Sequence, residues 1–112
     1  VNWMNKYTCL PKELLNVGLS LEPIGIFEMA WKSQDALKVI DFLTSKGYAI
    51  LGGDVYKQDE NGIESTYDSW YINKTVSKSF IEESRIKSHE YIKEYSKNNG
   101  DCYLYSIIFE SE

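Results

Sequence analysis

Few residues in this chain have the types and spacing that catalysis requires. His89 is the only histidine, and Ser88-His89-Glu90 reads like a proton relay. Consecutive helical residues, however, project about 100° apart, so these three cannot face one substrate. His89 also lies at the edge of an apolar stripe, where a structural or surface histidine is the plainer account. Gly52-Gly53-Asp54 lacks the lysine and the following helix that a phosphate loop needs. The sequence contains no G-x-S-x-G, H-E-x-x-H or Walker-type motif. Asp54 and Asp68 remain as a pair of acids that could meet across a hairpin. No nucleophile or base stands beside them in the sequence, so the expectation is a protein that binds, not an enzyme.

The same stretch carries a stronger binding signal. From Asp54 to Asp68 there are five acids (Asp54, Asp59, Glu60, Glu64 and Asp68) against one base, Lys57. Tyr56, Tyr67, Trp70 and Tyr71 border them. A solvated turn with ordinary strand aromatics would explain this pattern. So would an acidic, aromatic-rimmed surface on which charge speeds encounter and aromatics supply affinity.

The elements that must position these residues follow from periodicity. Pro11 and Gly18 bracket a short helix with Leu14, Leu15 and Leu19 on its apolar face. A strand is expected over Ile24–Trp31, with Ile26, Glu28 and Ala30 on one face. A helix then runs from an N-cap at Ser33 to Gly47, burying Ala36, Val39, Ile40, Phe42 and Leu43. Tyr48–Lys57 reads as a strand with a bulge or bend at Gly52-Gly53. Asp59-Glu60-Asn61-Gly62 is a turn, and Tyr67–Asn73 is the returning strand. A long helix over Ser77–Lys97 places Phe80, Ile81, Ser84, Ser88, Tyr91, Ile92 and Tyr95 on its buried face. Its charges nearly cancel. Cys102–Phe109 is apolar on both faces, as a central strand would be. The expected fold is α+β: a short N-terminal helix, then βαββαβ, in a two-layer ferredoxin-like sandwich with an antiparallel four-stranded sheet.

Composition narrows the class. A chain of 112 residues with 43% hydrophobic and 14% aromatic content can bury one core, so residues 1–112 are expected to form a single domain. The net charge of −5 disfavours nucleic acid and anionic membranes and favours basic partners. No run reaches the roughly 18 apolar residues needed to span a bilayer. With no signal-peptide pattern, the cytoplasm is the default location. Cys9 and Cys102 are expected to be buried free thiols, and with one histidine they complete no metal set. No metal and no cofactor is therefore expected. Because Val1 stands in place of a methionine, the numbered chain is not expected to begin at its natural start.

Ile50-Leu51-Gly52-Gly53-Asp54-Val55-Tyr56 followed by Tyr67-Asp68-Ser69-Trp70-Tyr71 resembles immunity protein family 40 of bacterial polymorphic toxin systems. Ala30-Trp31 and the helix from Gln34 to Lys46 are similar to that family's layout, so the resemblance covers roughly residues 24–72. It implies a protein that binds a cognate toxin and blocks its active site or assembly, and the acidic hairpin adds the expectation of a basic toxin such as a nuclease domain. The matching residues are Trp31, Gly52, Gly53, Asp54, Tyr56, Trp70 and Tyr71. Of these, Trp31, Gly52, Gly53 and Trp70 are assigned to the fold. The expected contact set is Asp54, Tyr56, Asp59, Glu60, Glu64, Tyr67, Asp68 and Tyr71 on a monomer. Two other readings stay open. One is a single-stranded RNA binder using Tyr103 and Tyr105 on an open sheet face. The other is a small enzyme built on Asp54 and Asp68.

Overall fold

The computed structural model describes residues 2–111, so the expectation attached to Val1 lies outside the described residues. After a 3-10 turn at Asn2–Tyr7 come helix α1 (Lys12–Val17) and strand β1 (Leu19–Ser20). A second 3-10 turn (Glu22–Ile24) leads into β2 (Met29–Lys32), α2 (Ser33–Ser45), β3 (Tyr48–Asp59) and β4 (Gly62–Tyr71). The chain ends with α3 (Phe80–Asn99), β5 (Tyr103–Ser106) and β6 (Ile108–Ser111).

The fold is mixed α+β with an antiparallel sheet, but the four-stranded ferredoxin-like layout is not what forms. Six strands run in the order β1-β2-β5-β3-β4, with β6 also paired to β3. The added strands have simple causes. β1 pairs only Leu19 and Ser20 with Ala30 and Met29, too short a run to show a period. β5 and β6 lie end to end along β3: Tyr105 opposite Val55, and Phe109 opposite Ile50. The run that read as one apolar strand thus breaks at Ile107. Its central position holds, because β5 lies between β2 and β3.

Helices α2 and α3 pack on each other and on β3, so both occupy one face of the sheet. Ala36, Val39, Ile40 and Leu43 of α2 are buried there with Trp31, Val55 and Tyr105 of the sheet. Lys32, not Ser33, occupies the cap position of α2, and Gly47 follows its end at φ 92°, a conformation that favours glycine. α3 presents two buried serines to the sheet. The Ile50 N–H donates to Ser84 Oγ at 3.1 Å, and Trp70 Nε1–H donates to Ser88 Oγ at 3.1 Å. Both donors would otherwise be buried and unpaired, so these small side chains let the helix sit close without leaving an orphan. On the opposite face, Leu21, Ala30, Tyr56 and Leu104 form a second cluster closed by Leu19, Ile26 and Ile63.

The glycine pair lets β3 approach Trp70 of β4 and Ser106 of β5 closely. Gly52 has φ 143°, and a Cβ there would lie 2.2 Å from the Trp70 carbonyl oxygen. A Cβ on Gly53 would lie 2.0 Å from the Ser106 carbonyl oxygen and 2.5 Å from the Trp70 ring. At this level β3 shifts register against β6, between Ile50 and Gly52. Trp31 is fully buried, its Nε1–H donating to the Leu14 carbonyl at 2.8 Å. That bond satisfies a carbonyl of short helix α1 and anchors the helix to the sheet.

Both cysteines are free, but only Cys9 is partly buried. Cys102 is exposed, because it lies between the end of α3 and the start of β5 and not within the strand's core. Among the described residues, no helix is long and apolar enough to cross a membrane. Nor does any group of His, Cys, Asp or Glu among them have the arrangement to hold a metal.

Candidate toxin-binding surface

β4 is an edge strand, paired on one side with β3. Its hairpin closes tightly: Asp59 pairs with Gly62, and the Asp59 carboxylate accepts the Asn61 N–H at 2.8 Å. Asp59 and Glu60 are exposed at this tip. Pairing then runs evenly to Tyr56 opposite Ser65 and resumes at Asp54 opposite Ser69. Thr66, Tyr67 and Asp68 therefore oppose the single residue Val55, forming a bulge with two extra residues.

Three side-chain hydrogen bonds hold the bulge. Thr66 Oγ1–H donates to the Val55 carbonyl at 2.8 Å, Tyr67 N–H to Ser65 Oγ at 3.0 Å, and Asp68 N–H to Thr66 Oγ1 at 3.1 Å. Their product is Tyr67 at φ 66°, the one described non-glycine residue with positive φ. Its side chain is 92% exposed. A tyrosine in this conformation costs about 1–2 kcal/mol, and no intramolecular packing offsets that cost. Asp68 turns the other way, its carboxylate accepting the Tyr95 hydroxyl of α3 at 2.8 Å.

Behind Asp68 runs a line of rings. Trp70 stacks on Tyr91 at 5.0 Å between centroids, and Tyr91 on Tyr95 at 5.9 Å. Tyr95 meets Tyr103 and Tyr105 edge-on. Burial, and then the Asp68 charge, push the Tyr91 hydroxyl above its ordinary range; burial and the Asp68 hydrogen bond do the same for Tyr95. Both phenols stay neutral donors at physiological pH. A groove of about 350 Å³ opens beside them, lined by Glu90, Tyr91, Glu94, Tyr95, Asn98 and Asn99.

The structure distributes the expected contact residues over three regions. Asp59, Glu60, Glu64, Tyr67 and Asp68 are exposed along the hairpin tip and outer strand. Tyr71, 78% exposed, lies on the opposite face to Trp70, beside Gly52. Tyr56 is corrected: it is 4% exposed in the second core cluster and offers a partner no ring surface. Burial there, with the Asp54 and Glu28 charges, pushes its hydroxyl up to about 12. Asp54 shares that face, its N–H bonded to Ser106 Oγ at 3.1 Å, whereas Asp68 faces α3. The two acids therefore do not meet as a pair.

The RNA platform fails for a related reason. Tyr105 is fully buried and Tyr103 is half-buried, both packed toward Tyr95 of α3 and not on an open face. His89 binds Asp41 Oδ1 at 2.7 Å, and Arg85 bridges Asp41 and Glu82, so this set fastens α3 to α2.

The family model for immunity protein 40 matches residues 20–109. This chain belongs to the immunity protein 40 family. No curated protein and no solved structure matches it. The family match extends past the hairpin to α3, β5 and β6, whereas the resemblance read from the residues stopped near Ile72. An immunity role follows from membership in the immunity protein 40 family, and it implies a toxin as the partner.

Periodicity places Tyr91 and Tyr95 on the buried face of α3; the structure leaves both half-buried, with Glu90 and Glu94 exposed beside them.

Proposed function

We propose that this chain neutralises a cognate bacterial toxin in the cytoplasm by seating it on β4 and the adjoining face of α3. It acts as a monomer and without catalysis of its own. Tyr67 is the anchor, a rigid amphipathic ring that a partner pocket can enclose. Asp59, Glu60, Glu64 and Asp68 supply a negative field that speeds the approach of a basic toxin, such as a nuclease domain.

The observation that carries this reading is the strained, exposed Tyr67, fixed at φ 66° by the bulge. Burial of that ring by a partner supplies the offset that the isolated fold lacks. The edge of β4 adds a row of backbone groups available to a partner, although the bulge divides it into two short runs.

The test is growth of cells that express the cognate toxin. Co-expression of the wild-type chain is expected to restore growth. Reversal of Asp59, Glu64 and Asp68 to lysine is expected to slow association and leave cells poisoned at higher toxin doses. Full protection by that triple variant would remove the hairpin from the interface.

A further inference from the structure

Of the strands at the margins of the sheet, β1 has two residues and β6 four, whereas β4 has ten. β4 pairs on one side only, with β3. Which of its backbone groups face outward follows from the ladder. The Gln58 N–H donates to the Cys102 carbonyl at 2.8 Å, away from β4. Gln58 and the opposing Ile63 are therefore a non-hydrogen-bonded pair, and by alternation so are Tyr56 and Ser65. The N–H and C=O groups of Ile63 and Ser65 thus point away from β3, while those of Glu64 between them point toward it.

Beyond Ser65 the regular edge stops at the bulge of Thr66–Asp68. An added strand that follows the pleat from Gly62 must end there, beside Tyr67 and its 92% exposed side chain. Glu64 supplies the sign of charge. It is exposed and takes part in no ion pair among the described residues, whose bridges run Lys74–Glu110, Arg85–Asp41, Arg85–Glu82 and His89–Asp41. In an antiparallel addition Ile63 and Ser65 become the hydrogen-bonded positions. Glu64 becomes the position between them, where side chains on neighbouring strands approach most closely. A second copy of this chain using both outward residues would set Glu64 directly against Glu64, so the edge disfavours its own kind.

We propose that the toxin adds an extended, antiparallel segment to the outer edge of β4, bonded to the backbone of Ile63 and Ser65 and carrying a lysine or arginine opposite Glu64. Every described pairing in this sheet is antiparallel, the arrangement that is more stable per residue. Backbone bonds give such an addition its affinity, and the residue opposite Glu64 gives it selectivity. The proposal rests on the toxin-binding reading, which supplies the partner, and it specifies the backbone geometry by which that partner meets β4.

The experiment is amide hydrogen exchange and NOE spectroscopy on the isotopically labelled full chain, alone and with its unlabelled cognate toxin domain. In the free chain the Glu64 amide is expected to exchange more slowly than those of Ile63 and Ser65, because it alone is bonded to β3. In the complex the Ile63 and Ser65 amides are expected to slow by roughly tenfold or more. An NOE between the Glu64 α-proton and an α-proton of the toxin is expected, the mark of a non-hydrogen-bonded antiparallel pair. Glu64→Lys changes an exposed side chain, so the free chain keeps its native spectrum elsewhere while the complex weakens roughly fivefold.

A complex that forms without slowed exchange at Ile63 and Ser65, or without the α-proton contact, overturns strand addition and leaves Tyr67 as the anchor. Undiminished binding by Glu64→Lys overturns the basic residue opposite it. Protection of the same two amides in the free chain, rising with its concentration, overturns the proposal in favour of a second copy. Absence of any complex removes the toxin-binding reading itself, and strand addition falls with it.

Discussion

The hydroxyl of Tyr95 donates to Oδ2 of Asp68 at 2.8 Å, so α3 grips the bulge of β4 from one side while Tyr67 projects from the other. One bond thus couples a helix, an edge strand and the most exposed tyrosine of the domain. Tyr95→Phe keeps the ring stack and removes only the donor. It is expected to lower stability by about 1 kcal/mol in urea unfolding. It should also broaden or shift the amide signals of residues 66–68, whereas unchanged signals there would mean the bulge is held by its own three hydrogen bonds alone.

Tyr67 should trade stability against binding. Tyr67→Gly removes the steric cost of the left-handed backbone and adds the entropy cost of glycine. Unfolding free energy is therefore expected to stay level or rise by up to ~1 kcal/mol. A substitution that strengthens the fold while weakening protection against toxin separates a binding role from a structural one. A clear loss of stability would show that the ring packs in a way its 92% exposure does not reveal.

At Gly53 the expectation has the opposite sign. A methyl group there meets the Ser106 carbonyl at 2.0 Å and the Trp70 ring at 2.5 Å, so Gly53→Ala must displace a strand or the indole. The cost is expected to be about 1–3 kcal/mol or more, read as a lowered thermal midpoint. Trp70 fluorescence should change with it. The flanking Gly47, whose Cβ would meet open space, is a useful contrast, because its substitution is strained only by φ 92°.

Alkaline pH should unfold the domain through three buried tyrosines, Tyr7, Tyr56 and Tyr105. Burial pushes the Tyr7 and Tyr56 hydroxyls from their ordinary 10.0 up to about 12. Between those values the unfolded chain gives up protons that the folded one retains, so the unfolded state gains as pH rises. Stability is expected to be fully present below about pH 10 and to fall progressively toward about pH 12. Tyr7→Phe, which also removes the acceptor for the Met29 N–H, should lower stability at neutral pH yet flatten that alkaline fall. An equally steep fall in Tyr7→Phe and Tyr56→Phe would assign it to other groups.

Much of the framework was legible because it obeys simple periods. α2 buries Ala36, Val39, Ile40 and Leu43 at helical spacing, and Asp59-Glu60-Asn61-Gly62 turns where its residue types favour a turn. Cys102–Phe109 reads as one central strand because both faces are apolar, and its first part, β5, does lie between β2 and β3. What escaped notice depends on partners distant in sequence. Leu19 joined the helix stripe on paper, yet it pairs with Ala30. The β4 strand begins five residues earlier than expected, since an exposed edge needs no apolar alternation. Tyr56 looked like a rim residue by its neighbours in sequence, although its register beside Leu104 buries it. Nothing in Thr66-Tyr67-Asp68 announces a bulge, which follows from three hydrogen bonds to strand neighbours.

The most direct test of the account is the affinity of the purified chain for its cognate toxin domain, compared with that of Tyr67→Ala. The wild-type complex is expected to be tight and to weaken as salt rises, because charge assists the encounter. Loss of the Tyr67 ring is expected to cost at least about 2 kcal/mol, roughly thirtyfold in Kd. A complex whose affinity is unchanged by Tyr67→Ala, or no complex at all, would contradict the claim that the bulged edge of β4 is where this protein meets its toxin.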